Sequence, residues 1–483
     1  MSDQHHAGVM GCAGDTIVQT PNLDRLAQSG VRFSNAYCPY PLCVPSRMSS
    51  MTGRHPHELD QWDNECQLKS DIPTFAHAFL SAGYDTVLSG RMHFVGLDQK
   101  HGFAEIIRDN GPLKATLTAF DLMTTLRRKL GKLWDTPFMS LSSIVKSGPG
   151  RSVYLATDEA VTERTVAWLQ QRSKNHNKPL LLTVGFITPH CPFVALPGDF
   201  ALYKDQITVA DLPQWHEILH PRNVALRKNW GIDPAAPIDA QWRTRVAYYG
   251  LTTFMDRQAG SVLSAWEQAG LADNSIIVYC SDHGEALGEH GMWWKSTFYD
   301  GSSRVPLIVS WPGHFKPGES RTENVSLMDI GTSLIDLVGV DPLPGASGKS
   351  FQHLLTGEKG RWDDTVFAEY EVDAVCRMVR SGPWKYNYYH GMEPELFNVQ
   401  EDSGEMINLA GQAEYHDIVQ RLHDLALQNW DPDKIQVRKD RWRQQELRLI
   451  ADYERITNPL GPDSLSYSAG PENWVDNTIK PNS

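Results

Sequence analysis

Apolar and polar positions follow two rhythms along the first three quarters of the chain. Short apolar or β-branched runs at 86–88, 180–186, 275–279 and 305–309 have the length and composition of buried strands, and between them apolar residues recur at helical spacing. That spacing predicts helices over 22–29, 74–82, 156–172 and 243–269, three of them followed at once by a helix-stopping glycine, Gly30, Gly83 or Gly270. Strands alternating with helices predict an α/β fold, a sandwich built on a large mixed, mostly parallel sheet flanked by helices. Beyond residue 365 the rhythm shortens, and runs at 375–380, 384–389 and 395–398 with turns between them predict a smaller antiparallel sheet, followed by a helix near 418–428. The expected organisation is an α/β domain over 1–365, a C-terminal antiparallel sheet and helix over 366–430, and a tail over 431–483. The tail is rich in charge, Pro and Asn, and is expected to wrap a surface or to join neighbouring subunits of a homo-oligomer.

Composition narrows the function classes. The 483 residues carry 45 Lys and Arg against 58 Asp and Glu, a formal charge of −13, which argues against nucleic acid as a partner. No apolar run approaches the roughly 18 residues of a membrane span. The start, Met1-Ser2-Asp3-Gln4-His5-His6, lacks the basic and apolar stretches of an export signal. Seven cysteines, an odd number without a C-x-x-C pair, indicate neither a disulfide framework nor a zinc ribbon. A cytoplasmic, reducing location without membrane partners is expected.

Ligands of open parallel sheets bind beyond the carboxyl ends of the strands, and reactive side chains fall there repeatedly. Arg91 and His93 follow the run at 86–88, His190 follows 180–186, and Asp282 and His283 follow 275–279. With Asp3 and Gln4 they offer hard oxygen donors and one imidazole, a set suited to a divalent cation such as Ca²⁺, Mg²⁺ or Mn²⁺. In Cys43-Val44-Pro45-Ser46-Arg47, Pro45 fits a first helical position, which puts Cys43 at a helix amino terminus that favours an anion, with Arg47 one turn on.

Cys43-x-Pro-Ser-Arg47 followed by Thr52-Gly53-Arg54 resembles the signature of the type I sulfatases, in which the cysteine is converted to formylglycine. The similarity runs over about residues 2–410. Thr20 to Leu26 with Gly30 to Phe33 is similar to the family's first helix, Ser281-Asp282-His283-Gly284-Glu285 to its metal segment, Pro189-His190 to its histidine loop, and Glu395 to Asn398 to its carboxy-terminal strand. Ser89 to Gly96 with Asp98-Gln99, and the Asp/Gln/Asp/His set, look closest to the choline-sulfatase-like and phosphonate monoester hydrolase branch.

The resemblance implies an alkaline-phosphatase-like fold and a hydrolase that cleaves the O-sulfate of a small alcohol or sugar. It implies a formylglycine-generating enzyme as maturation partner and one divalent metal, Ca²⁺ foremost, on Asp3, Gln4, Asp282 and His283. Arg47, Arg91, Lys295 and the metal would neutralise the sulfate, with Asn64 in contact with it. His190 or Lys295 would protonate the leaving alcohol, and His93 would act as base. Arg91 stands where the family carries lysine, and a guanidinium, always protonated, is a poor acid.

The family also places an apolar strand before its first metal-binding Asp, so the natural chain is expected to begin about ten residues upstream of Met1. Residues 108–150 do not resemble the aromatic loop of the choline branch. Within them, 121–130 reads as a basic amphipathic helix, either a packing lid or one wall of a groove for an anionic sulfated glycan. The competing readings are a phosphonate or phosphate diester hydrolase on the same fold, and a non-catalytic sulfoglycan-binding protein whose cysteine is never oxidised.

Overall fold

A computed structural model describes residues 1–107, 139–172, 178–213, 219–446, 449 and 479–481. The expected basic helix at 121–130 and most of the tail beyond 446 lie outside the described residues. The strands are β1 (Val31–Tyr37), β2 (Asp85–Gly90), β3 (Glu105–Ile106), β4 (Gly148–Pro149), β5 (Leu180–Gly185), β6 (Val194–Ala195), β7 (Ile277–Cys280), β8 (Arg304–Ser310), β9 (Glu319–Ser326), β10 (Thr365–Tyr370), β11 (Cys376–Ser381), β12 (Trp384–Tyr389) and β13 (Glu395–Asn398).

The main sheet comes in two parts, β3-β2-β5 and β7-β8-β1-β9, joined by the first three residues. The Met1 carbonyl accepts from Phe186 N–H at 2.9 Å and the Met1 amine donates to the Val184 carbonyl at 2.8 Å, while Ser2 N–H donates to the Cys280 carbonyl at 2.9 Å. Ser2 and Asp3 thus lie parallel to Ser281 and Pro189, in the place an interior strand would take between β5 and β7. Beneath this bridge is an apolar cavity of ≈ 150 Å³, lined by Met1, Val184, Phe186, Val262 and Tyr279 among others.

The sheet is mixed because β8 runs antiparallel to both β7 and β1, whereas β2–β3, β2–β5 and β1–β9 are parallel. Pro306 lies inside β8 and has no N–H to give. Opposite it β1 carries a bulge, Ser34 and Asn35 facing the single proline between the Phe33–Leu307 and Ala36–Val305 pairs. β1 escapes the hydrophobic pattern because Arg32, Ser34 and Asn35 interrupt it. Side chains alternate between the two layers: Tyr279 and Ile308 pack with Leu23, Val161 and Met255, while Cys280 and Leu307 pack with Leu327 and Ile330. Gly30 follows the helix Pro21–Gln28, yet its role is close approach, since a Cβ there would stand 2.4 Å from the Val309 carbonyl. Gly83 and Gly270, by contrast, take the left-handed conformation at φ 89° and 72°.

β10 to β13 form the second, antiparallel sheet in sequential order, backed by the helix His416–Leu427. Lys385 of β12, fully buried, fastens it to the first domain, with its ammonium 2.7 Å from Asp300 Oδ1 and 2.7 Å from Glu405 Oε1. Burial opposes that charge, and the two carboxylates raise it above the ordinary lysine range. Lys385→Met takes the ammonium from Glu405 and leaves Asp300 with Arg304, at 3.0 Å, beside Tyr37, so unfolding in urea is expected about 3 kcal/mol less costly. An unchanged midpoint would show that this joint carries no stability. The described start of the tail packs on its own chain, where Trp430 and Ile435 cluster with Trp62 and Cys66.

Candidate active site

Five chain segments converge at the carboxyl end of the main sheet. The helix Cys43–Thr52 begins with Cys43 itself after an extended Leu42, and Pro45 sits in its first turn, where a missing N–H leaves nothing unpaired. All ten of its residues are buried. Asn64 Oδ1 accepts from Val44 N–H at 2.9 Å, which caps the orphan amide just after Cys43. The loop carrying Asn64 is in turn covered by Arg438, stacked over Trp62 at 5.4 Å.

Around the Cys43 Sγ stand His283 Nε2 at 3.2 Å, the Lys295 ammonium at 3.4 Å and Asp3 Oδ1 at 3.7 Å. Burial and the Asp3 carboxylate push the thiol up, Lys295 and His283 pull it down, and the net effect is a lowering. Ligand atoms of Asp3, Cys43, Asp282 and His283 all lie within 4.8 Å of one another, the one such cluster among the described residues. Gln4 Oε1 adjoins it, 2.9 Å from the Lys295 ammonium.

The tautomer of His283 follows from its neighbour. Nδ1 lies 2.9 Å from the Gly284 carbonyl, which can only accept, so Nδ1 carries the proton and Nε2 turns a lone pair toward Cys43 and the aspartates. Arg47 spends all three guanidinium nitrogens inside the chain: Nε on Asp282 Oδ2 at 2.7 Å, Nη1 on the Arg91 carbonyl at 2.9 Å and Nη2 on Asp3 Oδ2 at 3.1 Å. Arg91 Nε approaches the same Asp3 oxygen at 3.1 Å. Burial raises the Asp3 carboxyl, but the Arg91 and Arg47 cations outweigh it and hold Asp3 well below the usual range. Each aspartate thereby commits Oδ2 to arginine and keeps Oδ1 toward the cluster. These donors, hard oxygens with one imidazole of fixed tautomer, fit a divalent metal.

His93, at φ 61°, receives a hydrogen bond on Nδ1 from Arg91 Nη2 at 2.8 Å. Burial and then the Arg91 charge keep it well below the ordinary histidine range, so its one proton sits on Nε2. His190 Nδ1 lies 2.5 Å from the Cys191 carbonyl and must donate, which leaves Nε2 as the acceptor for the Lys295 ammonium at 2.9 Å. Burial and then Lys295 lower His190 as well.

The structure brings every residue expected from the sequence to this region, but Asn64 contacts the helix backbone. Two buried carboxylates are additional. Asp158, from the helix Val153–Arg172, accepts from Ile187 N–H at 2.9 Å, Thr188 N–H at 2.8 Å and Thr188 Oγ1 at 2.6 Å, and so grips the histidine loop. Burial raises its carboxyl to about 7. Glu285 accepts from Gln4 Nε2 and from two backbone amides. Glu285 lies within the quoted Asp-His-Gly-Glu string, whereas a single Asp inside a helical pattern gives no signal.

The model of the family described as Sulfatase matches residues 1–340, and one described as N-sulphoglucosamine sulphohydrolase, C-terminal, matches 288–430. A choline-sulfatase of Rhizobium meliloti (strain 1021) is 31% identical over 479 residues, covering 95% of this chain and 90% of that one. An arylsulfatase of Clostridium perfringens (strain 13 / Type A) is 28% identical over 451 residues, covering 88% and 92%. The crystal structure of a phosphonate monoester hydrolase of Agrobacterium radiobacter superposes with a TM-score of 0.74 at 23% identity, covering 88% of this chain and 94% of that one.

Proposed function

The chain belongs to the sulfatase family and hydrolyses sulfate esters, and on that premise we propose that Cys43, as formylglycine, is its nucleophile and that Asp3, Gln4, Asp282 and His283 hold one divalent metal beside it. The fold is the alkaline-phosphatase-like sandwich with its C-terminal antiparallel sheet. One observation carries the proposal: the Cys43 Sγ lies within 3.7 Å of His283 Nε2, the Lys295 ammonium and Asp3 Oδ1. An oxygen on the same Cβ would meet an imidazole lone pair, a cation and a carboxylate at the start of a helix.

An aldehyde at this position supplies, as its hydrate, two geminal hydroxyls, one to attack sulfur and one whose deprotonation expels sulfate without attack by water. The metal, when bound, polarises that hydroxyl and shares the sulfate charge. The remaining roles fall to the chain. Arg47 holds the metal-facing aspartates rather than the substrate. Arg91 bridges Asp3 and His93, and its cation adds to the field that neutralises an incoming sulfate. Lys295 is the group with protons to give, since His190 Nε2 accepts from it, and Lys295 therefore protonates the leaving alcohol with His190 as its partner. His93 can take up a proton only by releasing Arg91 from Nδ1, which makes it a poor base while that contact holds.

Hard oxygens from two aspartates and Gln4 make Ca²⁺ the first candidate for this site, and the single imidazole makes Mn²⁺ the alternative, with Mg²⁺ after it. The substrate is the O-sulfate of a small alcohol or a sugar, and the cysteine requires a formylglycine-generating enzyme. Turnover of an aryl sulfate against an aryl phosphonate monoester by the matured enzyme tests the reading. A kcat/KM at least about tenfold higher on the sulfate is expected. The reverse ratio would move the chain to phosphonate or phosphate diester hydrolysis, and no turnover of either would leave a binding protein.

A further inference from the structure

We propose that Glu285 is a positioning residue that decides which end of the Gln4 amide faces the metal site. The inference rests on the reading of Gln4 as a metal ligand. Gln4 and Glu285 are both fully buried. Glu285 Oε1 is taken by Leu287 N–H at 2.9 Å and Trp294 N–H at 2.6 Å, and Oε2 receives the Gln4 Nε2 amide. An acceptor-only carboxylate can be met only by the N–H end of that amide, so the carbonyl end is turned the other way. There Gln4 Oε1 meets the Lys295 ammonium at 2.9 Å, beside the cluster of Asp3, Asp282 and His283.

Both ends of the amide are therefore polarised by charged groups of opposite sign, and its flipped form would set an N–H against a cation on one side and oxygen against oxygen on the other. The backbone cannot relieve the conflict. Gln4 N–H donates to Asp282 Oδ1 at 3.1 Å, its carbonyl accepts from Tyr248 Oη–H at 2.7 Å, and its φ is 65°. A ligand amide of undefined orientation would offer the metal either a donor atom or two repelling hydrogens, and Glu285 removes that ambiguity.

The test is a swap. In Glu285→Gln, the new amide keeps Oε1 for Leu287 and Trp294 and presents its NH₂ to residue 4, which forces the Gln4 amide to turn its oxygen away from the metal. Adding Gln4→Glu restores an acceptor for that NH₂ and an oxygen for the metal. Chelator-stripped full-length protein is titrated with Mn²⁺ and Ca²⁺ alone, and the metal-free melting temperature is followed in parallel. Glu285→Gln is expected to bind about tenfold to a hundredfold more weakly, and the double variant to return within about threefold of the original affinity. Gln4→Ala separates the two layers of the argument. If it weakens binding while Glu285→Gln does not, the ligand assignment stands and the positioning role is overturned. If Gln4→Ala has no effect, both fail. Weak binding by Glu285→Gln that the second substitution does not recover also overturns the role, since a general loss of packing would behave that way.

Discussion

Cys43→Ala is expected to lower sulfate-ester turnover by about 10⁵-fold or more, because it removes the atom that becomes the nucleophile while its setting remains. The substitution deletes one heavy atom at a residue 1% exposed, a cost of about 1 kcal/mol, so the protein should stay folded. Metal binding should survive, since Asp3, Asp282 and His283 are held by Arg47, by backbone amides and by Gly284 rather than by the thiol. Cys43→Ser sharpens the test. A lone hydroxyl can attack sulfur but has no geminal partner to expel sulfate, so at most one equivalent of alcohol per enzyme should appear before the reaction stalls. Sustained turnover by the alanine variant would place the nucleophile elsewhere.

Asp282 should be second only to Cys43. In the folded protein Asp282 Oδ2 holds Arg47, while Oδ1 receives the Gln4 and His283 amides and looks into the ligand cluster. Asp282→Ala removes a metal ligand and leaves the Arg47 guanidinium with Asp3 as its remaining carboxylate, in a site with no water-exposed surface on either partner. Disturbing a buried pair in this way costs about 3–5 kcal/mol. Activity should fall by about 10³-fold or more as the charge that balances sulfate is lost. Asp282→Asn, close to it in shape, leaves no cavity but has a single acceptor end, so its NH₂ meets either Arg47 Nε–H or the Gln4 and His283 amides. It should lose stability as well as the metal, the latter read by elemental analysis. One equivalent of metal and a normal rate in Asp282→Asn would rule out the proposed ligand set.

Why the main residues of this site can be read from the chain has a physical basis. Side chains that serve a ligand follow strands directly, so Arg91, His190, Asp282 and His283 announce themselves once β2, β5 and β7 are recognised, and the string around Cys43 is specific enough to stand alone. The C-terminal strands are equally plain, because their short runs are divided by turns such as Ser381-Gly382, even though the sheet is covered on both faces. What stays hidden acts through backbone amides or at close range. Asp158 grips two successive N–H groups across 29 and 30 residues of chain, a relation no spacing rule contains. Gly30 looks like a helix stop and is in fact a space kept for the Val309 carbonyl. Asn64 caps the helix amide next to Cys43 through Oδ1, a task that the sequence does not show beside the expected sulfate contact. The tautomers of His93 and His190, which decide where the protons are, depend on near neighbours in the chain, Arg91 and the Cys191 carbonyl, and what the sequence does not show is the local backbone that aims them at the imidazoles.

The state of Cys43 in active enzyme is the most direct test of the chemistry. Trypsin releases it on the peptide from Phe33 to Arg47, which also carries Cys38 as an internal reference. Fragment masses should place a loss of about 18 Da on residue 43 and none on residue 38, the difference between a thiol and an aldehyde. The rate per enzyme should also rise in proportion to the converted fraction across preparations. Full activity in a preparation whose residue 43 is entirely thiol would contradict the assignment.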